Sequence, residues 1–242
     1  MKKFTVLTLF PEMFEGFVTT SIIKKALERN LITIEIVDIR NYSVGKHHQV
    51  DDYQYGGGQG MVLMLEPLVK AIHDHQTSNS LVILLTPQGE TYQQKLAVNL
   101  ANDSADLILI CGHYEGFDER ILHYVDLELS LGDYVLTGGE LASMVLIDSI
   151  ARLANDVINP DSHQNDSFSN GLLDYPVYTK PVIFEGHEVP AVLLSGHHQN
   201  IAQWREFKAF EKTFHKRPDL LKQKKLSQLQ QQWLAELEQK EN

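Results

Sequence analysis

Apolar and polar positions alternate in a way that predicts a buried strand at residues 4–9, after which Pro11 opens a helical stretch. Phe14, Phe17, Val18 and Ile22 fall on one face of that helix, and Asn30 ends it. Residues 31–39 put Ile32, Ile34 and Ile36 at period two, a strand pattern rich in β-branched side chains. The periodicity then collapses into a polar stretch at 40–60, RNYSVGKHHQVDDYQYGGGQG, and structureless loops of such length are usually functional or disordered. A helix at 67–75, a strand at 81–85, a helix at 91–100 and a strand at 107–111 follow. This alternation predicts an α/β fold with a mostly parallel sheet. Residues 140–154, ELASMVLIDSIARLA, are apolar on too many sides for a surface helix, and burial partly against another subunit is expected. Residues 159–171, NPDSHQNDSFSNG, have the composition of a linker. Beyond them Pro176, Pro181 and Pro190 break up short segments, and 201–241 is helical in propensity.

Three apolar runs break into glycine-bearing loops: TPQGE at 86–90, CGHYEGFDER at 111–120 and LGDYVLTGGE at 131–140. In open α/β sheets the carboxyl ends of strands are where ligands bind. The chain contains neither G-x-G-x-x-G nor G-x-x-x-x-G-K-[ST], which disfavours an ordinary dinucleotide or nucleoside triphosphate enzyme. Loops with exposed main chain and few cations suit a polar, flat, weakly phosphorylated ligand. Taken singly, each glycine is equally compatible with a tight turn.

Composition narrows the class. At 242 residues, 43% hydrophobic and 22% charged, the chain reads as a soluble protein of two domains, and no apolar run nears the ~20 residues of a membrane span. The opening MKKFTVLTLFPEMF is interrupted by Pro11 and Glu12, so it predicts a first strand and not a signal peptide. One cysteine, Cys111, excludes an intrachain disulfide framework, and a cytoplasmic location is expected. The net charge of −11 argues against nucleic-acid binding, yet residues 201–225 hold eight Lys and Arg against three Asp and Glu, +5 locally. Such a run is either a solvated helix face or a phosphate-contacting surface. The pairs His47/His48 and His197/His198 lack metal-ligand spacing.

YGGGQGM at 55–61, TPQG, CGHYEGFDER, SLGDYVLTGGE, IDSIAR, NDSF at 165–168 and LLSGHH at 193–198 together resemble the bacterial tRNA (guanine-N1)-methyltransferase family of the knotted (SPOUT) superfamily. The motifs occur in order over nearly the whole chain. The resemblance implies an α/β domain at 1–158 with a deep trefoil knot, a flexible linker at 159–170 and a small, mainly helical tRNA-binding domain at 171–242. It implies S-adenosylmethionine as methyl donor and the guanine immediately 3′ of the anticodon as acceptor. It also implies a homodimer with its site at the subunit interface, contact with the tRNA anticodon arm, and a magnesium requirement whose ligands the sequence does not assign.

Carried over by motif position, the donor pocket comprises Thr86, Pro87, Gly112, Tyr114, Glu115, Gly116, Leu131, Gly132, Asp133, Tyr134, Val135, Leu136, Gly138 and Gly139. The resemblance makes Asp166 the general base for guanine N1 and lets Arg152 stabilise charge on the guanine carbonyl oxygen. Without it, Asp166 reads as a turn residue and Arg152 as a helix-surface charge. Glu115 is expected to hold Arg152, to balance the sulfonium, or to cap a helix. His113 stands where some family members carry arginine. The basic stretch, with Trp204, Phe207 and Phe210 interleaved, is a candidate anticodon-arm surface, and some of these aromatics are expected in the small domain's own core. A ribose 2′-O-methyltransferase of the same superfamily and a non-catalytic RNA- or nucleotide-binding module are the alternatives.

Overall fold

An apolar run without alternation belongs in a strand that is covered on both faces. Such runs form the centre of a five-stranded parallel sheet in the computed structural model, which describes residues 1–44, 47–158 and 166–241. Strands β1 (Lys2–Thr8), β2 (Ile32–Asp38), β5 (Ser80–Thr91), β6 (Asp106–Cys111) and β7 (Leu127–Ser130) lie in the order β2-β1-β6-β5-β7. Between β2 and β5 the chain makes a short antiparallel pair, β3 (Asp51–Asp52) with β4 (Val62–Leu63). Phe4, Val6, Leu107, Leu109 and Cys111 point into one core, and Leu7, Val82, Leu84, Ile108 and Ile110 into the other.

The first helical stretch departs from the expected one. A 3-10 turn at Pro11–Phe14 leads into α1 (Glu15–Val18), and the chain restarts as α2 (Ser21–Glu28) from Ser21 at φ 55°. The Thr19 and Thr20 hydroxyls donate to the carbonyls of Glu15 and Gly16, a local bonding that competes with helix continuation. The restart shifts the phase, so Ile23 and Ala26 are buried and Ile22 is 42% exposed. The polar stretch after β2 also holds more order than its pattern predicts. A 3-10 turn at Ile39–Tyr42 opens it, and YGGGQGM forms the tip between β3 and β4.

Helix α3 (Leu65–His75) covers one core and α4 (Gln94–Asn102) the other. Strand β5 runs on through TPQGE instead of ending at Leu85, with a register irregularity at which Leu129 opposes both Leu85 and Glu90. That extension delays α4 to Gln94. After β6 the chain makes a 3-10 turn at Glu119–Tyr124 and reaches the far edge as β7. It then returns as α5 (Glu140–Ala151), which packs on β6 and β1 and beside α4. Leu146, Ile147 and Ile150 of α5 are buried, whereas Leu141 and Val145, one turn apart, are 50% and 45% exposed.

The chain divides into two compact units, Met1–Pro160 and Asp161–Asn242. The second contains a hairpin of β8 (Ile183–Phe184) and β9 (His187–Glu188), then α6 (Ala191–Leu194), α7 (His198–Lys216), α8 (Pro218–Gln223) and α9 (Gln228–Glu241). Leu172, Phe210, Leu221 and Leu237 are its core, and the buried Thr213 hydroxyl accepts a 2.9 Å bond from the Leu173 N–H. Of the expected linker, residues 159–165 lie outside the described residues. No described helix is long and apolar enough to cross a membrane.

Candidate active site

Because β5, β6 and β7 are parallel, their carboxyl ends open on the same edge of the sheet, and the segments leaving them enclose a cavity of about 500 Å³. All of the residues expected to hold the donor line it except Asp133. Asp133 sits in a glycine-initiated bend between Gly132 and Tyr134, both of which do line the cavity. Glu128 and Ser130 on β7, Glu119, His113 and Thr137 also contribute to the wall. Glu119 is brought in by the 3-10 turn that follows the loop, which sequence spacing does not reveal.

The loops are locked to one another through main-chain bonds. Gly139 N–H donates to the Gly112 carbonyl at 2.9 Å, and a β-carbon on Gly139 would lie 2.7 Å from Cys111 Cα and 2.9 Å from Gly112 N. Two loop backbones therefore touch where no side chain fits. On the other flank, Glu115 N–H donates to Met61 O at 3.0 Å and Leu63 N–H to Gly116 O at 2.9 Å. The hairpin tip that precedes Met61 is thereby tethered to the second loop. The 3-10 turn after that loop is capped by Asp118, whose carboxylate accepts from the Arg120 N–H at 3.0 Å. Glu115 has no part in that cap.

The charge lining the cavity is distinctive. Glu115, Glu119, Glu128 and His113 are among its lining residues, and no lysine or arginine is among the described residues of the wall. Arg120, the one cation of CGHYEGFDER, is bound to Asp118 at 2.8 and 2.6 Å. These hydrogen bonds hold the Asp118 carboxyl below the usual carboxylate range. An acidic wall repels phosphate and favours a ligand carrying positive charge. The volume, the main-chain-rich loops and the carboxylates together fit an adenosyl sulfonium compound.

Cys111 closes the inner end of β6 and is fully buried. Burial, and then the nearby Glu140 carboxylate, push its thiol far above the ordinary range. It is a core residue and not a nucleophile. In the folded protein Cys111 is expected to resist a thiol reagent such as 5,5′-dithiobis(2-nitrobenzoate), with one equivalent reacting after denaturation.

The two expected catalytic residues lie in different units. Arg152 follows the last turn of α5 in the first and is half-buried, with its N–H donating to Asp148 O at 3.1 Å. Asp166, also half-buried, opens a pinned turn in the second unit. Ser169 N–H donates to Asp166 O at 3.1 Å, Phe168 N–H donates to Leu172 O at 2.7 Å, and Ser167 Oγ donates to Asp174 Oδ1 at 3.1 Å. Lys212 of α7 also donates to Asp174, at 2.8 Å. The Lys212 hydrogen bond first, then that of Ser167, holds the Asp174 carboxyl below its usual range. A depressed folded-state value contributes stability above the unfolded carboxylate range and loses it as pH falls through the folded one. The pair is half exposed, so Asp174→Ala is expected to cost less than about 1 kcal/mol in thermal unfolding at pH 7.

The basic stretch divides on inspection. Lys208 pairs with Glu211, Lys212 with Asp174 and Arg217 with Asp219, while Arg205, Lys216, Lys222 and Lys225 are exposed. Of the interleaved aromatics, Phe210 is core and Phe207 packs edge-on against Trp233, so neither is a free surface ring. Trp204 lies near Tyr178, and Arg205 stacks over Tyr175 at 4.9 Å. Among the described residues no three His, Cys, Asp or Glu side chains converge to hold a metal ion.

Comparison with known proteins bears on the same residues. A family model described as tRNA (Guanine-1)-methyltransferase TrmD matches residues 1–223. A tRNA (guanine-N(1)-)-methyltransferase of Spiroplasma kunkelii is 68% identical over 237 residues, covering 98% of this chain and 89% of that protein. Proteins of the same name from Mycoplasma mycoides subsp. mycoides and Halalkalibacterium halodurans are 56% and 54% identical, over 94% and 96% of this chain and 95% and 96% of theirs. The match runs through both units and all three loops, and the chain belongs to the tRNA (guanine-1)-methyltransferase family.

Proposed function

We propose that the protein transfers a methyl group from S-adenosylmethionine to N1 of the guanine immediately 3′ of the anticodon in tRNA. The observation that carries this reading is the cavity at the ends of three parallel strands, lined by Glu115, Glu119 and Glu128 and by no lysine or arginine among the described residues, in a chain of this family. Bound S-adenosylmethionine supplies an electrophilic methyl on a positively charged sulfur. Main chain around Leu131, Gly132, Tyr134, Leu136, Gly138 and Gly139 holds its adenosyl part, and Glu115, Glu119 and Glu128 balance its charge.

Guanine N1 carries a proton at neutral pH and is a poor nucleophile until that proton leaves. Asp166 accepts it, and Arg152 stabilises the negative charge that moves onto the guanine carbonyl oxygen. The N1–methyl bond forms as the sulfur–methyl bond breaks, the sulfur keeps the electron pair, and the proton ends on the carboxylate. No covalent enzyme intermediate is needed, and magnesium enters no step derived from these residues. Alignment of the two reactants supplies much of the rate.

Arg152 belongs to the first unit and Asp166 to the second. We read the exposed Leu141–Val145 stripe of α5 as part of a homodimer contact, with the site at the subunit interface. The return of α5 from the far-edge strand onto β6 and β1 is compatible with the family's trefoil knot. The second unit, with Arg205, Lys216, Lys222 and Lys225 outward, is read as the anticodon-arm surface, and residues 159–170 as the linker. A tRNA substrate implies action in the cytoplasm.

Incubation of unmodified tRNA transcripts with methyl-labelled S-adenosylmethionine and nucleoside analysis tests the reading. N1-methylguanosine is the expected product. A ribose-methylated nucleoside would replace the proposal with the 2′-O reading, and no labelled nucleoside would remove catalysis altogether. In the same assay Asp174→Ala is expected to lower kcat severalfold, with donor binding unchanged, because the turn that bears Asp166 loses its clasp to α7.

A further inference from the structure

Beneath the cavity lies a carboxylate that the transfer chemistry leaves unused. Glu140, the first residue of α5, is 2% exposed, and its Oε1 accepts a 2.7 Å hydrogen bond from the Thr8 hydroxyl at the end of β1. The direction of that bond is fixed. Thr8 Oγ1 accepts from the Phe10 N–H at 2.9 Å, so its single proton is left for the carboxylate. The second carboxylate oxygen abuts the cavity loop, because a β-carbon on Gly138 would fall onto Glu140 Oε2.

The same β-carbon would lie 2.7 Å from Cδ2 of His113, whose ring packs against Phe10 with centroids 4.7 Å apart. The contacts therefore close a circuit through Thr8, Glu140, Gly138, His113, Phe10 and back to Thr8. Gly138 and His113 line the cavity, whereas Thr8 and Glu140 stand behind it. Burying a carboxylate is costly, and an apolar side chain would serve mere packing better. What a carboxylate adds here is direction: it ties the end of β1 to the start of α5 at one defined spacing.

We infer that Thr8 and Glu140 are positioning residues for the methyl donor, holding the Gly138–Gly139 main chain and the His113 ring at the separation the donor requires. The inference rests on the donor reading above. It is tested on the full-length protein by calorimetric titration with S-adenosylmethionine, by steady-state kinetics with tRNA and by thermal unfolding. The variants are Thr8→Val, which keeps the volume and strands the carboxylate, Thr8→Ser, which restores the donor, and Glu140→Gln.

Thr8→Val is expected to raise the dissociation constant and the donor KM roughly tenfold, with kcat at saturating donor within about twofold of wild type. Thr8→Ser should return both constants to the wild-type range. Glu140→Gln should weaken donor binding by an intermediate factor, and it decides the matter if Thr8→Val does not fold. Wild-type donor affinity in Thr8→Val and Glu140→Gln, with only the melting temperature lowered, would overturn the inference while leaving the donor reading intact. Failure of the wild-type protein to bind the donor would remove both.

Discussion

Replacing Asp166 with asparagine is expected to slow methyl transfer by roughly 10²–10⁴-fold, the range over which a positioned general base acts, while S-adenosylmethionine binding is unchanged. Asparagine preserves the size of the side chain and its ability to accept the local hydrogen bonds of a turn, but it cannot take up the guanine N1 proton. The residues that line the cavity expected to hold the donor all belong to the first unit and Asp166 to the second, so the substitution removes no residue of the cavity wall. Single-turnover kinetics with saturating donor and tRNA, set beside calorimetric donor titration, measure the two effects. Wild-type turnover would remove Asp166 from its role; joint loss of binding and turnover would recast it as structural. Arg152→Ala should likewise depress turnover more than donor affinity, because its charge is called on when the guanine oxygen becomes anionic.

The second large effect is expected at Gly139. A methyl group there meets the main chain of Cys111 and Gly112 at 2.7–2.9 Å, and main-chain atoms cannot swing aside as the end of a flexible side chain can. Gly139→Ala must push two cavity loops apart, an overpacking that typically costs about 1–3 kcal/mol. Donor affinity should fall roughly ten- to hundredfold, and the melting temperature should fall with it. Gly16→Ala is the control, since a β-carbon at Gly16 meets nothing within 4 Å. Equal donor affinity in Gly139→Ala and wild type would show that the loops tolerate wider spacing than their contact implies.

How much of this was legible in the sequence depends on the distance over which each feature is encoded. The central strands β1 and β6 were plain, because burial on both faces writes itself as an unbroken apolar run such as DLILIC. The cavity loops were plain for a related reason: glycines placed straight after such runs mark where backbone must approach backbone. The phase of the first helix was not, since it turns on two threonine hydroxyls that bond locally and make Ile23 the inward residue instead of Ile22. The course of TPQGE was missed because a strand edge that re-registers on its neighbour, as Glu90 does on Leu129, has no local pattern. Asp133 was included by its place within a motif, and the bend at Gly132 leaves it off the wall that its neighbours form. Thr8 and Glu140 escaped altogether. They are 132 positions apart, and nothing near either residue announces the other.

The order of strands in the sheet has a consequence for how the chain matures. Strand β1 is flanked by β2, some 30 residues onward, and by β6, whose Leu107 pairs with Phe4 across more than 100 positions. The side chain of Lys2 reaches equally far, to the carbonyls of Asp103 and Ala105. High contact order of this kind slows folding, because the entropy of closing the intervening chain must be overcome first. On a ribosome moving at about 5–20 residues per second, β1 would wait several seconds or more for its second neighbour. Throughout that interval the edge of β1 that later pairs with β6 stays open, although β1 is the first strand made.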